Sequence, residues 1–340
     1  MTLAQETLAL LRRAMLPMDG TIADHAEAIL AAAFDALGDA RGAGFAYVDL
    51  TAGSCLLPMA FAAAGARRLV VNDIAARTMV AAQALLAGED LAPGLLADAH
   101  AGRCAQVPHA PSFGFASDYL TEAACAGFDR LFHADLPARH RATLRYLALR
   151  DVLDFADPED GFRILMTHDR DQLRADREQD WSGFLAAHDG RLDRLEQRRA
   201  DLAEARTAIG APHVRILNAD MRDVAAAIDY RGPCLVAVNP PTNGVDEYVI
   251  DDQIVHSLIA NRLVPLTRCA ETAAAFWRSR VETALAALPA GALFLVWGGD
   301  GAMTAEACRS VWLAYGDQVH AARVELDEGR AALWGIFRRR

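Results

Sequence analysis

The chain predicts an α/β fold: a seven-stranded, mostly parallel sheet with an antiparallel C-terminal hairpin, plus a mostly helical inserted subdomain. Three observations carry that expectation. Compact apolar runs alternate with stretches of helical period, a long break rich in Pro, His and Arg interrupts the alternation, and two strand-like runs close the chain around a turn-forming tetrapeptide.

In chain order, Thr2 to Ala40 sets Leu8, Leu11 and Met15, then Leu30, Ala33 and Leu37, at helical spacing, so two helices are expected over 1–40. Phe45 to Leu50 is a short apolar strand ending at an acid. A glycine-containing turn, a small-residue helix to Ala64 and a second strand, Arg68 to Asp73, complete a parallel strand–helix–strand unit of right-handed sense. From about Asp98 to Arg206 few runs are strand-like and Arg191 to Ile209 reads as a long charged helix, which defines the insertion over 98–206. Alternation resumes with Val214 to Asp220, Cys234 to Asn239 and Ala292 to Trp297, each a compact apolar run followed by a helical stretch and expected to be a buried-sheet strand. Val319 to Leu326 and Ala331 to Phe337 flank Asp327-Glu328-Gly329-Arg330, a hairpin signal. The sheet domain expected over 41–97 and 207–340 is thus Rossmann-like.

Composition limits the function classes. With 340 residues, 53% of them hydrophobic, the chain can bury a large core. No run of eighteen apolar residues predicts a membrane span, and the first twenty residues have no signal-peptide pattern, so a cytoplasmic location is expected. Six cysteines without a CxxC pair suggest neither a zinc cluster nor a disulfide framework. A net charge of -11 argues against general coating of nucleic acid. All 34 basic residues are arginine, however, which grips phosphate bidentately, so a local patch suffices.

The chemistry-bearing residues fall at strand ends. Asp49-Leu50-Thr51-Ala52-Gly53-Ser54-Cys55 sits where the first strand turns into a helix, the edge at which open parallel sheets bind nucleotides. Asn72-Asp73, followed by Ile74, ends the second strand twenty residues after Gly53, the separation expected of an acid that hydrogen-bonds a ribose. There is no GxGxxG and no GxxxxGK[ST], which disfavours NAD and ATP and favours a nucleoside cofactor without phosphates. Asn218-Ala219-Asp220-Met221 brings a third acid to the same edge, where it could accept from an adenine amino group. Asn239-Pro240-Pro241-Thr242 ends the fourth strand, and its two prolines stiffen the turn and remove two donors. The Asn239 side-chain carbonyl and the Pro240 backbone carbonyl are then fixed acceptors, able to hold both hydrogens of an amino group while its lone pair faces an electrophilic methyl.

This ordered set, with the terminal hairpin, resembles the class I S-adenosylmethionine-dependent methyltransferases. More narrowly it resembles the Dam-type DNA adenine methyltransferases, which share the ending here written Asn72-Asp73-Ile74, an insertion before the third strand and an Asp/Asn-Pro-Pro-aromatic turn. The resemblance implies S-adenosyl-L-methionine held by Asp49, Thr51, Ala52, Gly53, Ser54, Asp73, Ile74, Asp220 and Met221. It implies catalysis by Asn239, Pro240, Pro241 and Thr242 on a flipped adenine, with DNA as partner through the arginines of 98–206. Thr242 departs from the family's aromatic, for which Tyr248 is a nearby substitute, and the family's N-terminal lysine has no counterpart in a lysine-free chain. RNA, protein or small-molecule amino transfer, and a silent methyltransferase-like binding protein, are the alternatives.

Other features weigh less. Pro233-Cys234 lies at the start of its strand, away from the cofactor edge, and reads as a core cysteine. His109, His133, His140, His168 and His188 lack ligand spacing and read as solvated or locally bonded. Arg139, Arg141, Arg145 and Arg150, with Arg163, Arg170, Arg174 and Arg177, interleave with Tyr119, Phe128, Phe132 and Tyr146, the composition of a nucleic-acid face. Arg191, Arg194, Arg198 and Arg199, among Asp193, Glu196 and Asp201, read as intrahelical pairs. Phe276 and Trp277, near Val281, read as core.

Overall fold

The computed structural model describes residue 3 and residues 5–16, 24–41, 44–116, 122–156, 191–229, 232–240, 253–264, 272–299, 303–326 and 331–340. Helices α1 (Gln5–Ala14) and α2 (Ala26–Leu37) precede β1 (Ala46–Asp49), α3 (Leu56–Ala63), β2 (Arg68–Asn72) and α4 (Ala76–Ala87). The 98–206 region contributes half of α5 (Leu95–His100), then α6 (Phe113–Ala116), α7 (Glu122–Phe132), α8 (Ala138–Ala156) and most of α9 (Arg191–Ile209). There follow β3 (His213–Leu217), α10 (Met221–Ala226), β4 (Cys234–Val238), α11 (Gln253–Ala260), α12 (Ala273–Ala287), β5 (Leu293–Gly298), α13 (Ala305–Tyr315), β6 (Gly316–Glu325) and β7 (Ala331–Arg339).

The seven strands form one sheet in the order β3-β2-β1-β4-β5-β7-β6. β1 to β5 are parallel; β7 runs antiparallel to both β5 and β6. This is the expected Rossmann-like sheet with its antiparallel finish. Chain order reverses between β1 and β4, so the crevice at the carboxyl ends of those strands is the sheet's topological switch point.

Period-two alternation sorts the strand residues onto two faces. Tyr47, Leu69, Val71, Leu235 and Leu295 join one core with α1, α2, α3 and α4 and with the helices of the 98–206 region. Ala46, Val48, Val70, Val236 and Phe294 join the other with α10, α12 and α13. Tyr47 stacks on Phe61 with ring centroids 4.3 Å apart, and Phe294 stacks on Phe337 at 5.4 Å, pinning β1 to α3 and β5 to β7. The inserted helices add to the first layer: α8 packs on α4 and α7, and α9 packs on α1, α3, α4, α5 and α8.

Of the expected nucleic-acid face of the insertion, the described aromatics and Arg150 are turned inward, Arg141 and Arg145 are half-buried and Arg139 is exposed. Phe128, Phe132 and Tyr146 are buried in the first core. Arg150 reaches the Met15 carbonyl, and Tyr146 donates to the Ala14 carbonyl. Arg139 pairs with Glu89 at 2.9 Å, and Arg141 donates to the Leu136 carbonyl at 2.8 Å. Arg145 donates to the Phe132 carbonyl at 3.2 Å and lies 4.8 Å from that residue's ring centroid. The physical reason is that α8 needs an apolar face against α4 and α7, and the arginine stems that flank it are drawn to nearby carbonyls. Tyr119, Arg163, Arg170, Arg174, Arg177, His168, His188 and Cys269 lie outside the described residues. On α9, Arg199 pairs with Glu196 at 2.6 Å, as expected, whereas Arg191 crosses to Asp151 in a buried ion pair. Trp277 is core and Phe276 is half-buried under Arg280, whose guanidinium carbon lies 3.7 Å from the ring centroid.

No described helix is long and apolar enough to cross a membrane, and no group of three metal-ligating side chains occurs among the described residues.

Candidate functional site

Parallel strands deliver their carboxyl ends to one edge, and four of the expected stretches meet there. The β1–α3 turn is held from beneath. Asp49, 3% exposed, accepts from the Tyr47 hydroxyl at 2.8 Å and from the Thr51 amide at 3.1 Å. Burial pushes its carboxyl up from 3.8 to about 7, the two hydrogen bonds pull it back and the charge of Asp73 raises it further. Asp49 therefore sits under the turn, inside the sheet layer.

Gly53 is at φ 51, a left-handed conformation that suits glycine. Its amide donates to Asp73 Oδ2 at 2.8 Å, and its carbonyl accepts from the Thr78 hydroxyl at 2.9 Å. Cys55, also left-handed at φ 66, turns the chain into α3. Ser54 is half-buried with its hydroxyl 3.4 Å from the Leu56 amide, and Ala52 is buried. Asp73 Oδ1 accepts from the Ala75 amide at 2.8 Å, so this carboxylate laces the turn after β1 to the turn after β2. Beside it Ile74 is 71% exposed, the most exposed large apolar side chain among the described residues.

Two asparagines that the sequence did not mark as site residues hold these turns. Asn72 Nδ2 donates to the carbonyls of Leu50 at 3.0 Å and Ala219 at 3.1 Å, while its Oδ1 accepts from the Ala219 amide at 3.0 Å. Asn218 Nδ2 donates to the carbonyls of Asp73 at 2.7 Å and Ile74 at 3.1 Å. The Asn72 side chain, 1% exposed, serves carbonyls and an N–H together, which an amide can do with its separate donor and acceptor atoms. The available signal was their position, each immediately at a strand end among apolar residues.

Asp220 caps α10, accepting from the Arg222 amide at 2.9 Å, and the Arg222 guanidinium grips both its oxygens at 2.8 and 2.6 Å. That hydrogen bonding to Arg222 holds the carboxyl below its ordinary value. Met221 is buried in the second core, so of the pair only Asp220 reaches the edge. Asn239 is half-buried and Pro240 buried; the Asn239 amide donates to Thr51 Oγ1 at 2.8 Å, across the switch point. Pro241, Thr242 and Tyr248 lie outside the described residues. Cys234 is buried at the opposite, amino end of β4, and burial pushes its thiol up to about 12, far from a nucleophile's range.

On fit to a nucleoside cofactor, the edge offers an acid at the end of β2, a left-handed glycine turn beside it, and in Ile74 an uncovered apolar side chain that a flat ring would cover. A buried tyrosine and acid under the turn, with no lysine, give no phosphate cradle. These residues fit such a group.

No family model matches the chain, and no curated protein matches it. Among solved structures, the rRNA methyltransferase aviRa from Streptomyces viridochromogenes is similar over 94% of this chain and 86% of its own, at 14% identity and a TM-score of 0.35, a likeness too loose to carry any argument about activity.

Proposed function

We propose that the chain is an S-adenosylmethionine-dependent methyltransferase that acts on an exocyclic amino nitrogen, with adenine N6 in DNA as the leading substrate. One observation carries this reading: Asn239 and the Asp73-bound glycine turn stand at one sheet edge, tied to each other across the switch point through Thr51. The cofactor supplies the electrophilic methyl. Asp73, the 52–54 turn and Ile74 would hold its nucleoside, and Asp220 stands at the edge for an adenine amino group once its Arg222 clamp loosens. Asn239 Oδ1 and the Pro240 carbonyl would accept the two hydrogens of the substrate amine and stabilise the positive charge that grows on its nitrogen. Residues 41–97 and 207–340 would form this catalytic unit, with 98–206 facing the substrate and 1–40 bracing it.

A second reading has a specific observation behind it. Arg139, Arg141, Arg145 and Arg150 are engaged with carbonyls and a carboxylate of the chain itself, which favours a small-molecule amine over duplex DNA.

Incubation with the cofactor and, in parallel, unmethylated genomic DNA, total RNA, ribosomal protein and a pool of small amines, followed by mass spectrometry, separates the readings. New methyladenine in DNA is the expected result, and methylated small amines alone would favour the second. No cofactor binding and no methylated product in any pool would refute both.

A further inference from the structure

The switch point between β1 and β4 is closed by a single side chain. The Leu50 amide donates to the Ala237 carbonyl at 3.0 Å, the last rung joining the two strands. Beyond it the chains part, β1 into the glycine turn and β4 into Asn239-Pro240-Pro241. Asn239 therefore carries the last backbone N–H before two residues that have none. No strand lies opposite to receive it, and Thr51 Oγ1 does, at 2.8 Å. Thr51 is anchored in turn by its own amide on Asp49 Oδ1, and Asp49 by the Tyr47 hydroxyl. A continuous line of hydrogen bonds thus runs from Tyr47, inside the sheet, to the turn at its edge.

We propose that Thr51 is a positioning residue, whose hydroxyl extends the β1–β4 ladder by one side-chain rung and fixes the Asn239 acceptor relative to the glycine turn. The proposal rests on the reading of the site as an amino methyltransferase. A residue before proline is confined to extended backbone, so pinning the Asn239 amide leaves little beyond its side-chain torsions to set. Threonine is stiff at χ1, which makes the pin rigid. The sequence placed Thr51 among the cofactor-holding residues; the geometry points it at the other partner in the reaction. Its loss should accordingly appear in the transfer step and spare cofactor affinity, since in-line transfer is sensitive to displacements of about 1 Å.

Thr51→Val keeps the shape and removes the acceptor; Thr51→Ser keeps the acceptor on a freer side chain. Each would be compared with the unaltered protein in cofactor affinity by calorimetry, single-turnover methyl transfer, and exchange of the Asn239 amide proton read by nitrogen-15 NMR. In Thr51→Val, transfer should fall by about tenfold to a hundredfold with affinity within about threefold, and the Asn239 amide should exchange faster. Thr51→Ser should recover both transfer and protection. Wild-type exchange at Asn239 in Thr51→Val, or no recovery in Thr51→Ser, overturns the proposal; should Thr51→Val not fold, the protection seen in Thr51→Ser decides alone. Failure of the parent reading is distinct: the unaltered protein then binds no cofactor and transfers nothing, while the exchange comparison still tests the pin.

Discussion

Asp49→Asn should stabilise the protein at alkaline pH. The carboxyl lies inside the sheet layer, 3% exposed, and desolvation raises it from 3.8 to about 7 against the pull of two hydrogen bonds. A carboxyl whose folded pKa exceeds its unfolded one binds its proton more tightly in the native state, so the contribution of Asp49 to stability is greatest below about pH 4 and is lost as pH rises to about 7. At about 1.4 kcal/mol per pH, the interval from 3.8 to about 7 caps the loss at about 4 kcal/mol, a large part of the 5–15 kcal/mol typical of a folded domain. Asparagine keeps the shape: its oxygen can accept from the Thr51 amide and its NH2 can donate to the Tyr47 oxygen. Urea unfolding of both proteins at pH 5 and pH 8 reads the difference. Asp49→Asn should lie within about 1 kcal/mol of the wild type at pH 5 and exceed it by about 2–4 kcal/mol at pH 8, with equal m-values. A gap between the two that does not widen with pH, or a variant less stable at pH 8, refutes the reasoning.

The other expectations concern the edge and the insertion. Asn239→Ala should abolish methyl transfer while calorimetry finds cofactor affinity near normal; retained turnover would remove the proposed acceptor pair. Ile74→Ser should weaken cofactor binding by about tenfold with the unfolding midpoint unchanged, because an exposed side chain contributes to a ligand's burial and little to the fold. Asp73→Ala should weaken binding and also destabilise by about 1–3 kcal/mol, since the Gly53 and Ala75 amides lose their acceptor, and a melt separates the two effects. Arg191→Met should destabilise the fold by about 3–5 kcal/mol by taking from buried Asp151 its guanidinium partner, and Asp151→Leu in the same chain should recover much of it.

The central strands were legible because each is an apolar run bounded by polar residues, and burial on both faces leaves no other reading for Cys234 to Val238 or Leu293 to Gly298. Arg191 to Ile209 was legible to the residue, because its charges recur at helical spacing. The edge was legible as a place but not in its wiring. Asp49, Asp73 and Asp220 look alike in sequence, yet one is buried under a turn, one laces two turns and one is clamped by the guanidinium two residues on. Such roles depend on which amide the fold brings within reach, and strand register decides that. The insertion's aromatics misled for a related reason: helical spacing alone does not tell whether a ring faces solvent or α4.

The placement of α9 has a consequence for how this chain could diversify. The helix brings the polypeptide back from its long excursion, and Leu195, Leu202, Ala205 and Ile209 are fused into the core shared with α1, α3 and α4. Removing 98–206 would strip that core and bare the helices that back the sheet. The excursion is therefore not a cassette that recombination could exchange intact, and its helices cannot swing clear of the sheet without unpacking it. New specificity would have to arise residue by residue on the exposed faces of its described helices, while those helices stay where the sheet needs them.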